Sequence, residues 1–272
     1  MTTSVNTNVN ALAAIQSLSD ISSGLTKTQA HIQSGLKVGQ ASDDPAVFTV
    51  AQGLRANIGG LGAVASGLAN GVATVQGQTT GATSISNTLI TLLATVTQSA
   101  GQSGAALAAS QTTITNALAN IDAFAAATTV NGVNLLATAG SVSVLSNQNG
   151  TSTTVSTTVA STSAGFTLGS LATTANGTAT GTSAAITAVN AAIATIGATL
   201  TGLGAGTVQL QGLADFTSKL SVSVQTSLGA IVDANLSEES ARLSSLQTKQ
   251  SLAIQSLSIA NQAPGALLQL FR

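Results

Sequence analysis

The 272-residue chain has no cysteine, tryptophan or tyrosine, a single histidine, five phenylalanines, and Asp, Glu, Lys or Arg at only 6% of its positions. Without cysteine there is no disulfide, no thiolate nucleophile and no zinc–thiolate centre. One imidazole and no clustered carboxylates leave out the parts for nucleophilic, metal or general acid–base chemistry. The chain is therefore not expected to be an enzyme or to need a cofactor or metal. A formal charge of −1 and 2% aromatic content supply neither a basic patch nor a stacking platform, so nucleic acid is not an expected partner. No segment carries the roughly 18 near-continuous apolar residues of a membrane helix, and no membrane insertion is expected. Residues 1–10 lack the charged start and apolar run of a cleaved signal peptide. If the chain leaves the cell, the expectation is that it does so without one.

What is present is small and apolar. Hydrophobic residues make up 44% of the chain, with abundant Ala, Ser, Thr and Gly, which suits close helix packing better than a carved pocket. Between Ala56 and Ala214 the sole charge is Asp122, so the surface there is coated with hydroxyls.

Both ends read as helices that want neighbours on more than one side. At about 100° per residue, Leu243, Leu246, Ala253, Leu257 and Ala260 share one stripe while Leu252 and Ile259 fall nearly opposite. At the other end Val5, Val9, Leu12, Ile15, Leu18, Ile21 and Leu25 step by three or four over more than half the circumference. Burying six or seven such side chains is worth roughly 1.5 to 3 kcal/mol each, while ordering about 30 residues costs roughly 1 to 2 kcal/mol apiece. An isolated terminal helix loses that contest, which predicts folding coupled to assembly.

Between these ends the pattern runs in order. A first helix is expected from about Ser4 to Gln33, a joint at Ser34–Gly39, and a restart at Asp44–Pro45 with Asp44 as N-cap. Helical spacing then continues from Ala46 to about Ser99, and again from Ala105 to Thr128. The period changes to two at Ser141–Leu145 and Thr151–Ala160 around the turn signal Asn147-Gln148-Asn149-Gly150, predicting a β-hairpin. Residues 161–183 read as an exposed loop or irregular β segment. Helical spacing returns from about Ala184 to Val232, with a kink expected at Gly202, Gly204 and Gly206, and Asn235-Leu236-Ser237-Glu238 has the spacing of a capping box. The predicted class is mainly α: a long antiparallel helical bundle with terminal coiled-coil helices and a small β-hairpin near the middle.

Sharper readings of single motifs do not hold. Asp43 and Asp44 read as cap and helix-dipole residues, since no further carboxylate or imidazole stands near in sequence to complete a site. Gly59-Gly60-Leu61-Gly62 is no phosphate loop, because no strand precedes it and no Gly-Lys-Ser/Thr follows. Glu238-Glu239 reads as first-turn helix charge, and His31 as a solvated or interface-packed side chain.

With this layout the residues resemble bacterial flagellin. Asn6-Thr7-Asn8 with Leu12 is similar to that family's opening. Ile32-Gln33-Ser34-Gly35-Leu36-Lys37-Val38 with Ala41-Ser42-Asp43-Asp44 resembles the joint after its first helix. Asn57-Ile58 with Gly60-Leu61, Gln98-Ser99-Ala100 and Val130-Asn131-Gly132-Val133-Asn134-Leu135-Leu136 continue the likeness. The ending is the most specific piece: Ile231-Val232-Asp233-Ala234-Asn235, Ala260-Asn261-Gln262-Ala263-Pro264 and Leu267-Leu268-Gln269-Leu270-Phe271-Arg272.

The resemblance implies a subunit that polymerises into the flagellar filament used for motility. It implies terminal coiled coils lining an inner tube (1–41 and 235–272), rod helices in an outer tube (42–128 and 184–234), and a hairpin and Ser/Thr-rich loop (129–183) aiding longitudinal contacts. It further implies a homopolymer, secretion through the flagellar type III export apparatus after guarding by an export chaperone, and hook-associated junction and cap proteins as partners. There is little room for the family's variable outer domains, so a short form is expected. The hook-filament junction protein is the alternative. The expected assembly contacts are Val5, Val9, Leu12, Leu25, Leu36, Leu243, Leu246, Leu257 and Leu268.

Overall fold

The computed structural model describes residues 8–157, 161–169, 171 and 178–270, the side chains of 263–270 excepted. Among the described residues there are five helices and one hairpin: α1 (Val9–Ser34), α2 (Pro45–Gln98), α3 (Gly104–Ala127), β1 (Gly140–Leu145), β2 (Ser152–Thr157), α4 (Ala179–Val232) and α5 (Leu236–Leu270). The class read from the sequence stands: mainly α, with a small antiparallel sheet in mid-chain. The chain forms two compact units, 1–56 with 223–272 and 57–222.

Helix starts follow local chemistry. Asn8 Oδ1 accepts from Ala11 N at 3.1 Å to cap α1. Asp44 Oδ1 accepts from Ala46 N and Val47 N, both at 3.0 Å, ahead of Pro45 at the first position of α2, as the Asp-Pro pattern predicts. Helix-interior hydroxyls, poor helix formers when they compete with the backbone, instead bond back to the carbonyl four residues earlier at Thr79, Thr83, Thr88, Thr187, Thr195 and Thr207.

The 57–222 unit holds the larger core. Val64, Leu68, Val75, Ile85, Leu89 and Leu92 of α2 meet Ile114 and Ile121 of α3 and Val189, Ile196, Leu203 and Leu210 of α4 in one buried cluster. The hairpin pairs Val142 with Val155 and turns Val142, Val144 and Val155 inward. It seats on glycines: a Cβ added at Gly71 would stand 2.5 Å from Val144 Cγ2, and one at Gly206 would stand 2.5 Å from Val155 Cγ1. Gln78, fully buried, holds the connection after α3. Its Nε2 donates to Thr128 O (3.1 Å) and Val133 O (3.0 Å), and its Oε1 accepts from Leu135 N (3.1 Å).

Three expectations need correction. The stretch after the hairpin is no exposed loop where it is described: Ser161, Phe166, Leu168 and Leu171 are buried, and Asp122 binds Ser163 through its backbone N (2.8 Å) and hydroxyl (2.7 Å). Three large apolar residues spread over six positions escaped a reading based on Ser and Thr content. Helix α4 begins at Ala179, ahead of the expected start near Ala184, and stays helical through Gly202, Gly204 and Gly206, where Gly206 makes room for Val155 of β2. Finally, α2 and α4 are long and apolar enough, by length and composition, to cross a membrane. Their large buried side chains, Leu68, Ile85, Leu89, Leu92, Ile196, Leu203 and Leu210, are the core of the 57–222 unit.

Candidate assembly surface

In the unit formed by 1–56 and 223–272, α1 and α5 run antiparallel. The buried and half-buried residues of α1 include the series Ala11, Ala14, Leu18, Ile21, Leu25, Thr28 and Ile32, with Gly24 and His31 beside it; those described on α5 are Glu239, Leu243, Leu246, Gln250, Ala253, Leu257 and Ala260. The two series alternate steps of three and four, the seam of a coiled coil. Leu246 packs over Gly24, its Cδ atoms 3.6 Å from where a Cβ would stand. Asn8 Nδ2 donates to Ala260 O at 2.7 Å at one end. At the other end His31 Nδ1 and Glu239 Oε1 are 3.2 Å apart and both residues are buried. Among the described residues His31 Nε2 and Glu239 Oε2 have no partner.

The joint closes this end. Gly35 takes a left-handed φ of 70° and donates to His31 O at 2.8 Å, ending α1. Leu36 and Asp233 then form an antiparallel bridge, supported by Lys37 N to Val232 O (2.7 Å) and Ala234 N to Gly35 O (2.8 Å). Asp43 Oδ2 accepts from Gly39 N and Gln40 N, each at 3.1 Å, with Lys27 Nζ 3.9 Å from Oδ1. Desolvation works to raise the Asp43 carboxyl. The N–H groups of Gln40 and Gly39, then the charges of Lys27 and His31, outweigh it and hold the group below its ordinary value. An open hollow of about 670 Å³ lies between α1 and this loop, lined by Ser23, Thr26, Lys27, Ser34 and Gly39 among others. Its lining also includes His31, Ser42 and Asp43, and no cluster of three potential metal ligands occurs among the described residues.

The expected contact residues divide into three groups. Leu25, Leu243, Leu246 and Leu257 lie in the seam within one chain, and Leu36 is half-buried in the joint. Val9 and Leu12 face outward, 68% and 58% exposed. Val5 lies outside the described residues, as does the side chain of Leu268. The outward surface also includes Ile15 on α1 and Leu252, Ile254 and Ile259 on α5, Ile259 at 69% exposure. Leu252 and Ile259 carry a signal in the sequence, since they fall opposite the stripe of leucines. Ile254 shows none.

A helix pair that buries a seam between its members and leaves bulky apolar side chains on its outer surfaces is unfinished as a monomer. Comparison with known proteins agrees with this reading. Residues 5–141 match the bacterial flagellin N-terminal helical region and residues 186–271 the bacterial flagellin C-terminal helical region. Flagellin FljM of Caulobacter vibrioides is 35% identical over 285 residues, covering 99% of this chain and 98% of its own length. Flagellin FljO of the same organism is 36% identical over the same coverage. A flagellin of Brucella melitensis is 30% identical over 99% of each chain. The chain belongs to the bacterial flagellin family, and it is a structural subunit of the flagellar filament.

Proposed function

We propose that this subunit polymerises through the outward apolar surfaces of its terminal helices, Val9, Leu12 and Ile15 on α1 and Leu252, Ile254 and Ile259 on α5, packed against further copies of the chain. The exposure of these six large side chains on helices already paired along another face supports the reading. Leu25, Leu243, Leu246 and Leu257 contribute indirectly by holding α1 and α5 together, and Leu36 by fixing the joint; Val5 and Leu268 extend the surface. The segments 1–41 and 235–272 serve the inner tube, 42–128 and 184–234 the outer tube, and 129–183 the contacts along the filament. Before assembly the chain is exported through the flagellar type III apparatus with its C-terminal helix guarded by a chaperone. It then meets the hook-associated junction and cap proteins outside the cell.

The absence of cysteine gives a clean test. A thiol introduced as Leu12→Cys reacts readily with maleimide in the monomer and is expected to be protected in filaments grown from seeds. Equal reactivity in monomer and filament would show that this face stays in solvent.

A further inference from the structure

We propose that Asn149 is a site of spontaneous covalent modification, the first asparagine among those described here at which this chain deamidates. Four Asn–Gly pairs occur in the sequence: Asn70–Gly71, Asn131–Gly132, Asn149–Gly150 and Asn176–Gly177. Glycine on the C-terminal side matters because the following backbone nitrogen is the nucleophile, and no Cβ hinders its approach. The deprotonated Gly150 N attacks Asn149 Cγ, a C–N bond forms, the Cγ–Nδ2 bond breaks, and ammonia leaves. Water then opens the resulting succinimide at either carbonyl and gives aspartate or isoaspartate. One water is consumed and one ammonia released, with no oxidant or reductant.

The three described pairs differ in whether they can reach this geometry. Asn70–Gly71 lies inside α2, where the helix ladder holds the backbone and Gly71 lies beneath Val144. At Asn131 the side-chain amide donates to Thr74 Oγ1 at 3.0 Å. The turn around it is closed by Val130 N to Val133 O (3.0 Å) and Val133 N to Val130 O (2.9 Å). Asn149 and Gly150, at the hairpin tip, are exposed as Asn131 and Gly132 are, and Gly150 takes φ 86° where Gly132 takes 77°; the difference is the bond that ties down the Asn131 side chain. Among the described residues neither the Asn149 side chain nor the Gly150 N–H has a hydrogen-bond partner. Asn147 Oδ1 accepts from Asn149 N (3.0 Å) and Thr151 N (3.1 Å) and so holds the turn, but the nucleophile and the amide it attacks are themselves neighbours without a partner.

The position gives the change a consequence. Gln148, the preceding residue, anchors the tip by donating from Nε2 to Asn57 O at 2.7 Å and packing on Gly60. Aspartate at 149 adds a negative charge to a stretch, 57–213, whose sole charge is Asp122. Isoaspartate also lengthens the backbone by one carbon beside the anchor. The tip therefore records the age of a subunit as charge and as loosened contact with α2.

The test is to incubate full-length protein at physiological temperature from neutral to mildly alkaline pH, then map peptides by mass spectrometry with an isoaspartate-sensitive digest. Conversion at Asn149 is expected to run severalfold ahead of Asn70 and Asn131 and to rise with hydroxide. The acidic charge variant that it produces should be lost in Asn149→Gln and kept in Asn131→Gln. A urea-unfolded sample removes the structural protection and should bring the three sites toward equal rates. Conversion at Asn70 or Asn131 as fast as at Asn149 in the folded protein would overturn the proposal. So would an unmodified Asn149 over a period in which the unfolded control converts.

Discussion

Replacing Gln78 by leucine tests whether one buried amide holds the connection between α3 and the hairpin. The substitution keeps an apolar side chain of similar reach in α2 but removes two donors and one acceptor. Val133 O retains a bond from Val130 N at 3.0 Å, and Thr128 is only half-buried, so each of those carbonyls loses only the net worth of a bond, about 0.5 to 1.5 kcal/mol. Leu135 is buried, and its N–H is left without a partner at about 1 to 3 kcal/mol. The total is about 2 to 6 kcal/mol, at the upper end of what single substitutions do. With no Trp or Tyr, urea unfolding is best followed by far-ultraviolet circular dichroism, reading the midpoint at unchanged slope. Gln78→Glu keeps the acceptor and loses the donors, so it should fall substantially too. A leucine variant within about 0.5 kcal/mol of the parent, the range of neutral surface changes, would refute the reasoning.

Other positions give independent checks. Gly206→Ala should destabilise by about 1 to 3 kcal/mol through overpacking against Val155, whereas Gly53→Ala, in α2 with nothing within 4 Å of the new Cβ, should stabilise by up to about 1 kcal/mol; urea midpoints moving together in one direction would contradict this. Asp122→Ala removes both bonds to Ser163 and should make 161–169 the first site of limited proteolysis while the helices persist. The folded Asp43 carboxyl lies below its ordinary value of 3.8, so its contribution is present above that value and is lost as pH falls through the lower folded one. The Gly39 and Gln40 amide resonances should titrate in that acid window and cease to do so in Asp43→Asn; an unchanged titration in the variant would remove Asp43 as the cause.

Where side-chain chemistry acts locally, the sequence is informative: the Asp44–Pro45 start of α2, the change of period at Ser141–Leu145 and the turn at Asn147–Gly150 all appear where their patterns place them. The seam of the terminal helices is harder to read. Large residues such as Val9, Leu12 and Ile15 draw attention by hydrophobicity, yet the face that pairs within the chain uses Ala11, Ala14 and Thr28 together with Leu18, Ile21 and Leu25. Small residues let two backbones approach, and hydropathy alone does not register that. The same blindness hides Gly71 and Gly206, whose value is the space that Val144 and Val155 fill. Gln78 was invisible for another reason, since its three partners lie 50 to 57 residues away. The pairing of His31 with Glu239, 208 residues apart, depends in the same way on the antiparallel register of the two chain ends.

The most direct measurement is the critical concentration for seeded filament growth, by electron microscopy and sedimentation, for the parent and for Leu12→Gln with Ile259→Gln. These residues are 58% and 69% exposed, so covering the remainder is worth about 1 to 2 kcal/mol each at roughly 1.5 to 3 for a whole side chain. Together that is about 2 to 4 kcal/mol, a rise of roughly 30- to 1,000-fold in critical concentration, with monomer helicity unchanged because neither residue lies in the seam. Growth of the double variant at the parent's critical concentration would show that the outward face of the terminal helices is not what the filament buries.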